Sequence, residues 1–479
     1  MILVVDVGTS SVRAVVVDGD AHVVAEHRTP LLPSSPAPGL VEFDAAAMAD
    51  AALQLARMAI DEVGEVSAVG IANQRGSAIV WDRHTGAPVG PGIGWQDLRT
   101  VVRCLELAPS GVRLGPNHSA TKFEALLDAA DPDRARDLCI GTVDAWIVWT
   151  LTGGSVHATD GTNAPITGTR TAANDAWDTT VLEALRIPER TLPTVVDSSG
   201  ALATASALPG APPITGLLGD QQASLLGQGC VRPGDAKITF GTGGMLDLVL
   251  GPQRPPIDLR GHAGTYPIVT RRVGNADTWG LEAVMLSAGT NVEWLRDDLG
   301  LVASAEETDA VAATCADTGD VWFVPALLGL GTPQWDFGAR GTLVGLTRGT
   351  ERAHIVRAVL EGVAHRGADL VEAAEADSAC TIEIVRIDGG MAANLTFVQA
   401  LADATQRPVE VAPVREATAI GAAFAAGAAI GWWTHDDDIA STWKPGARVE
   451  PERVLDRDRW REAVTRAEAW QPDLSAIEF

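Results

Sequence analysis

The same short plan is written twice in this chain. Residues 2–17, ILVVDVGTSSVRAVVV, run as an apolar strand, a Gly-Thr turn and a second apolar strand, and residues 236–251, AKITFGTGGMLDLVLG, repeat that order. Short β-branched runs divided by turn residues are hairpin signals. In the first copy an Asp18-Gly19 turn leads on to a third strand, which makes an antiparallel meander. Aligning the turns sets Gly8-Thr9 against Gly241-Thr242 and Asp6 against Thr239. A repeat spaced by about half the chain predicts a duplicated domain whose two loops face each other across a cleft; a chance echo of two hairpins is the alternative. A length of 479 residues is also long for a single core.

Helix-like and strand-like patterns alternate after each hairpin. In the second half, HIVRAVLEGVAHRGADLVEAAEA carries apolar residues at helical spacing, TIEIVRIDGG reads as a strand ending in an acid and two glycines, and MAANLTFVQALADAT reads as another helix. Pro233-Gly234 punctuates the chain between the halves. The expected fold class is therefore α/β with two similar domains, 1–233 and 234–479.

A formal charge of −26 argues against a nucleic-acid partner and against docking on anionic lipid, both of which need a basic footprint. An enzyme this acidic that binds phosphates must rely on a few local cations and on backbone N–H groups. The five cysteines, Cys104, Cys139, Cys230, Cys315 and Cys380, form no C-x-x-C pair, which fits core thiols in a reducing compartment. MILVVDVGTS lacks the basic start of a signal peptide. The most apolar segment, TAIGAAFAAGAAIGWW at 418–433, is too short and glycine-broken to span a bilayer. Both features predict a cytoplasmic protein, with homo-oligomerisation left open.

Three glycine turns are candidates for holding phosphate: DVGTSS at 6–11, FGTGG at 240–244 and DGGMAAN at 388–394. Such turns expose consecutive backbone N–H groups that coordinate phosphoryl oxygens without a formal positive charge. Each alone is equally a structural turn at a strand end. The first and third add an acid, Asp6 and Asp388, where a hydrated Mg²⁺ would sit beside phosphates. The chain has no G-x-x-x-x-G-K-[ST] and no H-R-D, and its Asp336-Phe337-Gly338 stands without the rest of the protein-kinase set, which argues against P-loop enzymes and protein kinases. Asp220 follows an apolar run and precedes helix-like QQASLLGQG. It reads either as a helix cap or as the carboxylate that orients an acceptor hydroxyl and takes its proton.

These residues carry a resemblance. The chain resembles the FGGY carbohydrate kinases, and within them the glycerol kinases, over nearly its whole length. The matching blocks are DVGTSSVRAVVVD, PGLVEFD, IANQRGSAIVWDRHTGAPV, GWQDLRT, GTVDAWIVWTLTGG, ATDGTNA, GDQQASLLGQGCVRPGDAKITFGTGG, GLGTPQWDFGARGTLVGLTRGTERAHIVRAVLEG, DGGMAANLTFVQALAD and VREATAIGAAFAAG. The resemblance implies two RNase H-like domains of the actin and hexokinase type around a central nucleotide cleft. It implies ATP and Mg²⁺, with Asp6 holding the metal through water and Asp220 as catalytic base. Ser10, Arg13 and Thr242 would meet the terminal phosphate, and Gly289, Gly390 and Asn394 the nucleotide.

The acceptor pocket departs from the pattern. Arg75, Trp95, Asp220 and Gln221 match the glycerol-binding arginine, tryptophan, aspartate and glutamine of that group. The adjacent glutamate is replaced by Gly76, and the tyrosine by Asn117; a one-residue shift would put His118 there instead. Losing a carboxylate and a phenol removes two hydrogen-bonding groups and opens volume. The expected activity is phosphorylation of a small polyol or sugar, with glycerol kinase proper and a non-catalytic actin-like ATPase as alternatives.

Overall fold

The computed structural model describes residues 1–413 and 416–477. Val414 and Arg415, which open the block VREATAIGAAFAAG, lie outside the described residues. Two large mixed sheets organise the chain. The first has six strands in the order Ser199–Thr204, Pro213–Gly219, Ala68–Asn73, Ile2–Val7, Ser11–Val17, Val23–Pro30. The second has seven, in the order Tyr266–Val273, Ala276–Met285, Gly244–Gly251, Ala236–Phe240, Val385–Asp388, Val409–Val411, Ala447–Val449.

The repeat read from the sequence sits at the centre of both sheets. Ile2–Val7 pairs antiparallel with the strand after its Gly-Thr turn and parallel with Ala68–Asn73. Ala236–Phe240 pairs antiparallel with Gly244–Gly251 and parallel with Val385–Asp388. The fold class is α/β with a duplicated core, as expected. The carboxyl ends of the parallel strands release Asp6, Arg75, Asp220 and Asp388 on the sides where such sheets bind ligands.

Alternation explains why the central strands are apolar on both faces. Leu3, Val5 and Val7 pack into the cluster that holds the helix Ala45–Val63, while Ile2 and Val4 face Ala419, Ile420 and Ala423. The latter belong to the helix Ala417–Ala429, so the chain returns from the second sheet to cover the first. Its small residues permit this: a Cβ on Gly421 would lie 1.8 Å from the Ala223 carbonyl oxygen, on the helix that begins with Asp220. The glycine-broken segment is thus a buried core helix. Among the described residues no helix is long and apolar enough to cross a membrane.

Two element boundaries differ from the sequence reading. The strand in TIEIVRIDGG is confined to Val385–Asp388, and the helix in MAANLTFVQALADAT begins only at Leu395. Asn394 sets that start, because its side-chain oxygen accepts the N–H of Phe397 at 2.9 Å. Gly390–Ala393 is left as a 3₁₀ turn.

Candidate active site

Asp220 stands where the buried strand Pro213–Gly219 passes into the helix Asp220–Gly227. The cap residue is Gly219, so Asp220 is not the N-cap; its Oδ1 accepts the N–H of Gln221 at 2.8 Å. Burial raises the Asp220 carboxyl above the ordinary range, Arg75 counters that rise, and Asp6 adds to it. A raised, partly accessible carboxyl near a cation is what a proton acceptor at neutral pH requires.

The block ATDGTNA fixes the strand ends that carry this acid and its arginine. Thr162 Oγ1 accepts the N–H of Gly219 at 2.9 Å, and the side chains of Asn163 and Asn73 exchange hydrogen bonds of 2.9 and 3.2 Å. Asp160, fully buried, receives Thr162, Asn163 and Ser198, and burial with nearby Asp144 pushes its carboxyl up to about 6. The polar network thus holds both strand ends from behind.

Arg75 reaches across the cleft. Its Nε lies 3.5 Å from Asp220 Oδ1 and its Nη2 donates at 2.6 Å to Glu282 Oε2 in the second sheet. Burial alone would lower its pKa, and Glu282, Asp220 and Asp247 more than reverse that, so the guanidinium stays charged. Nη1 is buried and has no partner among the described residues. Trp95 donates its indole N–H to Thr9 Oγ1 at 3.2 Å, which joins its segment to the first Gly-Thr turn.

Gly76 and Asn117 meet directly. Gly76 has φ +72°, and a Cβ there would lie 2.5 Å from the Asn117 carbonyl oxygen and 3.4 Å from Trp95 Cβ. Asn117 is exposed, whereas the His118 ring accepts the N–H of Gly115 at 3.1 Å and is turned against Gly168.

The structure adds three residues that sequence reading missed. Lys237, Asp247 and Glu282 are directly opposite one another on adjacent strands, so they form one charged row across the second sheet. Lys237 Nζ lies 2.8 Å from Asp247 Oδ2, both side chains fully buried, and also donates to Gln221 Oε1. Asp247 Oδ1 has no hydrogen-bond partner among the described residues. The available signal was a single charge interrupting each apolar strand: AKITF, MLDLVLG and WGLEAVM.

At the two repeated turns, Ser10 and Thr242 are exposed. Arg13 donates Nε to Asp6 Oδ2 at 3.1 Å, and Nη2 reaches the same oxygen. Burial raises the Asp6 carboxyl, opposed by Arg13. Gly289 donates its N–H to Gly241 O at 2.8 Å, and a Cβ on Gly289 would lie 2.6 Å from that oxygen. Gly389 has φ +90° and would place a Cβ 2.3 Å from the Phe240 carbonyl oxygen, while among the described residues nothing lies within 4 Å of one on Gly390.

These glycines bring bare backbone together as a phosphate cradle needs. Asp388 Oδ2 accepts from Ser224 of the Asp220 helix and from Gln228, which caps its end, at 2.8 and 3.0 Å, and its buried Oδ1 has no partner among the described residues. An orphaned carboxylate oxygen beside Gly389-Gly390, together with Asp6, suits a hydrated Mg²⁺. Asn394 is committed to its helix start and to Thr308, 2.9 Å from its Nδ2.

Comparison with known proteins places the chain by family and fold. Residues 1–227 match the N-terminal domain, and residues 236–430 the C-terminal domain, of the FGGY family of carbohydrate kinases. A glycerol kinase of Trichlorobacter lovleyi is 42% identical over 496 residues, covering 98% of this chain and 99% of that protein. Glycerol kinase 2 of Thermotoga maritima is 39% identical with the same coverage. The crystal structure of Plasmodium falciparum glycerol kinase with ADP superimposes with a TM-score of 0.90 at 27% identity, covering 100% of this chain and 99% of that one.

Proposed function

Since the chain belongs to the FGGY family of carbohydrate kinases and is an ATP-dependent kinase that uses Mg²⁺, we propose that its acceptor is a small polyol or sugar longer than glycerol. The observation that carries this reading is Gly76. Its positive φ and the Asn117 carbonyl against it disfavour any side chain at position 76, so the carboxylates that meet Arg75 are Glu282 and Asp220 alone among the described residues. In this reading neither Gly76 nor Asn117 offers a carboxylate or phenol to glycerol's hydroxyls, while Arg75 Nη1 remains to donate to an acceptor hydroxyl.

In this reading residues 1–233 carry the acceptor and 234–479 the nucleotide. Asp220 accepts the proton of the attacking hydroxyl as oxygen bonds to the terminal phosphorus of ATP, and the bond from that phosphorus to the bridging oxygen breaks to leave ADP. Ser10, Arg13 and Thr242 donate to the transferring group. Arg75, Trp95 and Gln221 orient the acceptor, and Gly289, Gly390 and Asn394 border the nucleotide. Asp6 would hold Mg²⁺ through water, and the bound ion would supply neutralisation of charge on the phosphates.

ADP release measured across glycerol, tetritols, pentitols and ketopentoses tests the reading: a four- or five-carbon acceptor is expected to give the highest kcat/KM. Stimulation by none of them would refute it. Glycerol itself is the second reading, favoured by the 42% identity to a glycerol kinase.

Two substitutions separate the walls. Gly76→Glu is expected to lower the melting temperature and weaken every acceptor, because a side chain at φ +72° costs about 1–2 kcal/mol before its contact with Asn117 is counted. Asn117→Tyr, at an exposed position, is expected to raise kcat/KM for glycerol about fivefold, the worth of one hydrogen bond, and to lower it for longer acceptors. Thermal melts and steady-state kinetics check both.

A further inference from the structure

Lys122 lies in the helix Ala120–Ala130 with its side chain fully buried. Its ammonium meets three backbone carbonyls: Gly76 at 3.2 Å, Trp95 at 3.4 Å and His118 at 3.0 Å. Those oxygens come from three separate segments, one after the strand Ala68–Asn73, one after the strand Gly92–Ile93 and one just before the lysine's own helix. They are the segments that bear Arg75-Gly76, Trp95 and Asn117. Each of the three ammonium protons therefore has one carbonyl on each wall of the acceptor pocket. A buried charge with carbonyl rather than carboxylate partners is costly, and it makes the approach of the three walls depend on one atom.

We propose that Lys122 is a positioning residue that sets the width of the acceptor pocket by clamping its three walls, an inference that rests on the acceptor-site reading above. It touches no reacting atom. Its effect is on how tightly the acceptor is held, leaving phosphoryl transfer from a correctly bound acceptor unchanged.

The titratable and charged groups around it allow a second readout. Burial, only partly offset by Asp97 and Cys104 and reinforced by Arg99, brings the Lys122 amine down to about 7. His118 is held at about 4 and so stays neutral at this pH, Asp97 is lowered and stays ionised, and burial raises the Cys104 thiol. Lys122 is thus the group of this set that changes charge near neutrality. Below about 7 it offers three donors; above, an amine lone pair faces one carbonyl.

The test is steady-state kinetics of Lys122→Met beside Trp95→Ala, using the best acceptor from the polyol panel. Lys122→Met is expected to raise acceptor KM about tenfold, the loss of roughly one buried charged hydrogen bond, with kcat and the KM for ATP within about twofold of wild type. Wild-type acceptor KM is expected to rise between pH 6.5 and 8.5 while the KM for ATP stays flat. A Lys122→Met enzyme with unchanged acceptor KM, beside a Trp95→Ala enzyme whose KM has risen, overturns the clamp alone. If neither variant moves acceptor KM, the acceptor-site reading falls with it. Should Lys122→Met fail to fold, a wild-type acceptor KM that is flat across that pH range overturns the proposal.

Discussion

Asp220→Asn is expected to lower kcat by about a hundredfold to ten-thousandfold, the span for loss of a general base. The amide is isosteric and its oxygen still accepts from the Gln221 N–H, so the helix start survives. Removing the negative charge leaves Arg75 paired with Glu282, and folding stability should change little. Nucleotide affinity, which the proposed function assigns to the Gly-Thr turns, should stay within about twofold of wild type. The pH profile adds a sign. Because the folded Asp220 carboxyl titrates above the ordinary range, wild-type kcat should fall as pH drops through that raised value, and the asparagine variant should lack this limb. Stopped-flow or coupled ADP assays at saturating acceptor check both; turnover near wild type would remove Asp220 from the chemistry.

Lys237→Met is expected to destabilise the protein by about 3–5 kcal/mol, because it strands the fully buried Asp247 without its counterion. The charge row adds to this cost, since Glu282 lies opposite Asp247 on the next strand and its carboxyl is raised by burial and by Asp247 beside it. Lys237→Met combined with Asp247→Leu replaces the pair by apolar groups and should return within about 1–2 kcal/mol of wild type. The double variant also removes the donor that orients Gln221, so stability should recover while acceptor KM stays raised. Urea unfolding and acceptor kinetics of the two single variants and the double variant test this. A double variant no more stable than Lys237→Met would show that the cost is poor packing instead of a stranded charge.

The contrast between Asp220 and Asp247 shows what the sequence could carry. Asp220 was legible because it ends an apolar strand, opens a helix and precedes a glycine turn, all local patterns. Asp247 lies inside an apolar strand, and its partners come from strand register: Lys237 before the turn and Glu282 on a strand reached only after another hairpin. No spacing rule relates those positions. The duplicated hairpin was legible for the same local reason. The return of Ala417–Ala429 to the first sheet was not, because its alanines and glycines announce close packing without naming a partner.

Gly76 was legible in one respect only. The resemblance implies a carboxylate at the position after Arg75, where this sequence has Gly76. That the position has φ +72° and abuts the Asn117 carbonyl depends on how two distant loops meet, and it changes the inference from a lost group to a site that resists any side chain. The three carbonyls around Lys122 are equally silent in sequence, since every residue has one.

The most direct test of the central claim is a competition. Equimolar glycerol, erythritol, xylitol, ribitol and D-xylulose, incubated with the enzyme and limiting ATP, should yield phosphorylated product dominated by one of the four- or five-carbon acceptors, as read by mass spectrometry. Glycerol phosphate as the dominant product would contradict the account and leave a glycerol kinase with an altered pocket wall.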